Sequence, residues 1–287
     1  MSEMIPVLLR FVLYLDLMLV FGLGLFGLYA RHCRLDVRRL LRWMASLGVL
    51  LSVLSMVSMT QAMSGAEDWQ TLWPHVQMML AHTELGWTWC LRLVALVVVL
   101  LNPRLATLCG GVALVTLAWA GHGVMHEGAL GVWHLISDIA HLLAAAGWVG
   151  ALAAFGLLLM SPSLPGAPHV EALAQALVGF ERVGMGFVAV LIVTGVTNYL
   201  LVVGLNPDGL SEGLYALLLG LKLAVFGLML GLAALNRFHL TPWLQRSLTS
   251  GDNATATRAL RRSIAVEFGA VVLILGLVAW LGTLAPD

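Results

Sequence analysis

The side chains best able to do chemistry are concentrated between residues 119 and 150, where four of the nine histidines fall: His122, His126, His134 and His141. On an α-helix His134, Asp138, His141 and Trp148 sit at i, i+4, i+7 and i+14, which puts them along one face. A stripe of imidazoles and a carboxylate suits metal binding or proton movement. The competing reading is a hydrogen-bonded polar cluster that pins helices together. Helix rise limits the metal geometry: His134 and His141 are two turns apart, ~10.5 Å, whereas metal–nitrogen bonds are only ~2 Å long, so the two are not expected to share one ion. The expected arrangement puts His134 at a rim and Asp138 with His141 deeper, with His122 and His126 supplied from the preceding loop. Asp138 is also placed to fix an imidazole tautomer.

Methionine gives the second signal. Met56, Met59 and Met63 recur at i, i+3 and i+7, and Met125 lies between His122 and His126. Thioethers with imidazoles suit Cu(I), whereas Mg²⁺ and Ca²⁺ prefer oxygen, so copper is the ion these ligands favour. A methionine stripe is also ordinary core filler, because the side chain packs irregular gaps well. The remaining polar residues inside apolar runs include Asp16, Asn198, Lys222 and Glu267. Lys222, the only lysine, calls for an anionic partner, and Asp16 and Asp138 are the candidates at comparable depth. Glu181, Asn236 and Glu267 fall together toward the opposite end of the spans and are candidates for an inner vestibule.

These residues must be positioned by membrane helices. The chain is 60% hydrophobic and 10% charged, with a mean hydropathy of +0.95, far from a soluble domain with roughly a quarter of its residues charged. Apolar runs long enough to cross a bilayer, ~20 residues, lie near 5–30, 41–63, 84–101, 105–121, 133–160, 174–203, 212–236 and 263–285. The expectation is therefore an all-α, polytopic bundle of about eight transmembrane helices, forming one transmembrane domain over 1–287. Asp16 inside the first run, and the arginines after it, mark a retained span and not a cleaved leader.

The formal net charge of zero conceals an asymmetry. Arg31, Arg34, Arg38, Arg39 and Arg42 follow the first span, and Arg237, Arg246, Arg258, Arg261 and Arg262 lie between the last two. Loops on the alternate side carry Glu67, Asp68, Glu127, Asp208 and Glu212 without Lys or Arg. The positive-inside rule then puts both termini on the periplasmic side. Cys33, Cys90 and Cys109 have neither metal-site nor redox spacing. No phosphate-binding loop is present, which argues against nucleotide-driven pumping by this chain alone, and no catalytic residue or nucleic-acid partner is expected.

Taken together, these residues resemble the bacterial copper resistance protein D family, CopD and PcoD. The resemblance is carried by Trp119, Ala120, Gly121 and His122, then by His134, Asp138 and His141 leading to Trp148 and Gly150. It continues with Thr194, Gly195 and Asn198, with Tyr215, Lys222 and Asn236, and with Glu267. It covers spans four to eight, while spans one to three agree mainly in hydropathy and in the arginine-rich first loop. The resemblance implies a multi-pass protein of the bacterial inner membrane that handles copper, with a small periplasmic copper-binding donor of the CopC type, and moves the ion toward the cytoplasm. It also implies that His122, His134, Asp138 and His141 handle copper; the methionines rest on ligand softness alone.

The expected function is thus a copper permease with a His/Asp/Met path, driven by gradients. Two alternatives use the same histidines: a b-type haem redox protein, and a membrane protein that binds copper without translocating it.

Overall fold

The computed structural model describes residues 4–30, 35–66, 68–120, 128–160, 167–202, 213–250 and 253–282. All regular structure among them is helical: α1 (Met4–Tyr29), α2 (Arg38–Ser64), α3 (Trp69–His82), α4 (Glu84–Leu101), α5 (Ala106–Val115), α6 (Gly128–Met160), α7 (Ala167–Val202), α8 (Leu214–Leu235), α9 (Thr241–Ser250) and α10 (Asn253–Leu281). Eight helical stretches are long and apolar enough to cross a membrane, as the hydropathy pattern predicts. The fourth is a composite, α5 flanked by 3₁₀ turns at Pro103–Leu105 and Thr116–Ala120. The seventh runs from α8 through a π-helical turn, Asn236–Leu240, into α9.

Two departures from the sequence reading come from helices that are not long apolar runs. The segment before the third span is helical (α3), because Asp68 caps it: the Asp68 carboxylate accepts from the Thr71 N–H at 2.8 Å. Those bonds hold the Asp68 carboxyl below the usual carboxylate range. Thr83 then serves two helices, its N–H closing α3 on the Met79 carbonyl and its hydroxyl accepting from Gly86 N–H at 3.0 Å to open α4. The polar stretch that begins at Asn253, ahead of the last apolar run, is helical as well.

The centre of the bundle is the pairing of α1 with α6. A Cβ on Gly22 would overlap the Ala146 carbonyl oxygen and lie 2.7 Å from the Gly150 Cα, so only glycine permits the approach. Leu17, Val20, Phe26, Ala151 and Phe155 fill the seam. Around this pair, α2, α5 and α10 pack on α1, α4 packs on α2 and α5, α7 on α6 and α9, and α8 on α10. Among the described residues α7 and α8 scarcely touch each other. The perimeter is apolar, and exposed tryptophans ring both ends: Trp69, Trp73, Trp87 and Trp133 at one, Trp43 and Trp243 at the other. Such belts mark membrane–water interfaces.

Candidate functional site: a polar cleft between α6, α7, α8 and α10

The site begins with two antiparallel helices in register. On α6, Asp138 and His141 are three residues apart; on α7, Thr194 and Asn198 are four apart, so each pair presents one face of its helix. Asn198 Nδ2 donates to Asp138 Oδ1 at 2.6 Å, and His141 Nδ1 meets Thr194 Oγ1 at 2.8 Å. The Thr194 hydroxyl donates to the Val190 carbonyl at 2.6 Å, so it accepts from His141. That network assigns the proton of a neutral His141 to Nδ1 and leaves Nε2 as the lone-pair nitrogen, the arrangement a metal-ligating imidazole needs. Gly195 of α7 lies alongside the ring, where an added Cβ would make ordinary van der Waals contact with His141 Cε1 at 3.8 Å.

His134, one turn from Asp138, is fully buried, with Nε2 4.0 Å from Asp138 Oδ2. His134, Asp138, His141, Asn198, Tyr215 and Lys222 line one cavity of about 270 Å³. Lys222 therefore shares its surroundings with Asp138. Asp16 does not line this cavity, and its carboxylate abuts Gly48 of α2 on the other side of α1. The cleft continues past His141 and Lys222 into a cavity of about 410 Å³ reaching Trp148 and Phe226. A third cavity of about 490 Å³ shares Trp148 and Ile192 with the second and is lined at its far end by Glu181, Asn236, Arg237 and Glu267. Both ends of the cleft are polar and its middle is apolar.

Several expected residues are not brought together here. Met56 is buried against Leu72, Val76 and Met79, within the α2–α3–α4 corner, while Met59 and Met63 are exposed; none of the three lines the cleft. His75 and His82 lie on α3, and His75 Nδ1 is 2.9 Å from the Thr71 carbonyl. His122, Met125 and His126 fall outside the described residues. Among the described residues no three of His, Cys, Asp and Glu cluster closely enough to hold a metal ion. His134 and His141 are on one helix, two turns apart, and so do not clamp a haem iron between them.

Sequence reasoning missed Arg10 and Tyr14 of α1, which line the outer cavity. Arg10 Nη1 donates to the Gly282 carbonyl at 2.6 Å, and Nη2 to the Ala120 carbonyl at 3.1 Å. The guanidinium thereby ties the end of α10 to the last described residue before His122. A charge within the first apolar run was the available signal. Ser137, which donates weakly to the Thr194 carbonyl at 3.5 Å, was also missed.

Comparison with known proteins supplies the context for this geometry. Residues 1–132 match the family model described as "Copper resistance protein D-like, N-terminal domain", and residues 174–281 match "Copper resistance protein D". Copper resistance protein D from Pseudomonas syringae pv. tomato is 46% identical over 305 residues, spanning 100% of this chain and 98% of that protein. The inner membrane protein YebZ of Escherichia coli (strain K12) is 29% identical over 291 residues, 97% of each chain. No solved structure matches.

Proposed function

The chain belongs to the copper resistance protein D family, and from that premise we propose that it is a copper permease of the bacterial inner membrane, carrying the ion from the periplasm toward the cytoplasm. The membrane assignment draws on the relative named as an inner membrane protein, and both termini are placed outside by the arginine asymmetry. The single observation that carries the transport reading is the position of the paired site. Asp138 and His141 face the first of three cavities that succeed one another through shared lining residues toward the other end of the bundle, and each is oriented by its own α7 partner.

In this reading Cu(I) is the substrate. It is received at the periplasmic rim by His122 and His126 with Met125, passes His134, and is bound by Asp138 and the His141 Nε2 lone pair. Met59 and Met63, exposed on the same side but away from the cleft, act as an outer collecting patch, with Met56 buried beneath them. A separate periplasmic donor of the CopC type delivers the ion. Asp138 balances its charge, and Lys222, facing the same cavity, is the counter-charge when the ion is absent.

The test is radiocopper uptake into sealed vesicles under reducing conditions. His141→Ala is expected to lower the initial rate at least tenfold with unchanged expression, and Asp138→Asn to do the same. Undiminished uptake by His141→Ala removes this site from the pathway. Copper bound by the wild type without accumulation in the lumen would establish the non-translocating alternative.

A further inference from the structure

The end of the cleft that carries Arg237 has a different chemistry from the histidine end. Glu267 of α10 is only 2% exposed. Its Oε1 accepts a short hydrogen bond from Asn236 Nδ2, and no other hydrogen bond joins its side chain to another among the described residues. Asn236 Oδ1 is buried and has no hydrogen-bond partner. A neutral carboxylic acid is a donor as well as an acceptor. If Glu267 carries a proton on Oε2, that O–H supplies what Asn236 Oδ1 lacks, and acid and amide close a cyclic pair with two hydrogen bonds. If Glu267 is ionised, the amide oxygen remains unsatisfied and a buried anion is added beside it, each of which is costly.

Among the described residues the surroundings provide no compensating cation. The charged groups facing this cavity are Arg237, from the π turn, and Glu181, from α7. They pair with each other at 3.7 Å. The faces of α6 and α9 present Trp148, Leu152, Phe155 and Thr241. On α1, Asp16 abuts α2 and Arg10 is held at the other end. Lys222 is fourteen residues up α8 from Asn236, roughly 20 Å along the axis. Asn236 itself begins the π-helical turn that joins α8 to α9, and such turns recur at functional sites because they place a side chain where regular α-helix would not.

We propose that Glu267 and Asn236 form a proton-binding site, in which the protonated acid, paired to the amide, latches α10 to the π turn after α8. The ligand is the proton itself, taken up from or released to the cavity beside Glu181 and Arg237. The site stands whether or not copper crosses the bundle.

Infrared spectroscopy of the copper-free, full-length protein in lipid vesicles tests this. With glutamate carboxyls isotopically labelled, a protonated-carboxyl band that moves with the label is expected at neutral pH. It should disappear at alkaline pH and be absent from Glu267→Gln. Label specificity separates it from the buried Asp16, and the other described glutamates are more exposed, so the wild type alone gives the answer if the variant does not fold. In Asn236→Val the band should move to higher frequency, as an acid released from its amide. Absence of any label-shifted acid band at neutral pH overturns the site, and an unmoved band in Asn236→Val overturns the pairing.

Discussion

His141 is the residue on which the copper reading depends most, and its usefulness is set by Thr194. Because the hydroxyl donates to Val190 and accepts from Nδ1, removing it frees the ring to adopt the other tautomer or rotate away. Thr194→Val should therefore weaken copper binding by about 10–100-fold, the usual effect of losing a partner that orients a ligand. Thr194→Ser should retain most of it. Equal affinities for the two variants, measured by competition with a chromogenic Cu(I) chelator, would mean that Thr194 only packs. The His134–Asp138–His141 stripe was legible because a helical period of polar residues within apolar sequence has few explanations. Asn198 stood out as a polar residue in an apolar run and Thr194 only as part of a resemblance, and neither could be matched to α6, since nothing in one sequence says which residues of a second helix face the first. Arg10 escaped because long cationic side chains near span ends ordinarily reach to the interface, whereas this one bonds two carbonyls from distant parts of the chain.

Among the elements, the α1–α6 seam is the least tolerant. Gly150→Leu would drive a side chain into the Gly22 backbone, and the expected loss of stability is about 3 kcal/mol, the upper end for overpacked interiors. Thermal melts in detergent would register it, and a wild-type melting temperature would contradict the backbone contact. Gly227 and Gly231, four residues apart on α8, have the same small-residue spacing, yet a Cβ added at either would meet nothing within 4 Å. Spacing identifies small faces but not which of them meets a partner. The same limit applies to α3, whose first turn is held by one side-chain cap. Asp68 has a depressed carboxyl, so its contribution is fully present above the unfolded value near 3.9 and is lost as pH falls through the lower folded value. Helicity and hydrogen-exchange protection at the start of α3 should fall at acid pH in the wild type. In Asp68→Ala they should already be low at neutral pH, and protection unchanged by that substitution would show that packing alone holds the helix.

For the whole molecule, the spans could be read to within a few residues at most ends because bilayer thickness imposes a length that composition displays directly. The proposed orientation rests on the arginine-rich loops and is open to a direct test. In a background lacking Cys33, Cys90 and Cys109, Trp87→Cys should react with a membrane-impermeant maleimide on intact spheroplasts. Trp43→Cys, at the opposite tryptophan belt, should react only after permeabilisation. The reverse pattern would invert the molecule and the direction of any path through it. Which helices enclose the cleft was not legible, because the apolar faces of α7 and α8 look alike whether they meet a neighbour or lipid.

Because α7 leans on α6 and α9 while α8 leans on α10, no interlocked protein wall closes the side of the cleft between α7 and α8 among the described residues. In a bilayer spanned by the eight apolar stretches, acyl chains would face that side, and lipid would then be a structural component of the compartment and of its insulation from the membrane interior. Parting α7 from α8 disturbs chain packing in the solvent and not a protein core, and the resistance to that movement belongs to the bilayer: stiff, ordered chains would hold the fourth wall shut, and fluid ones would let it breathe.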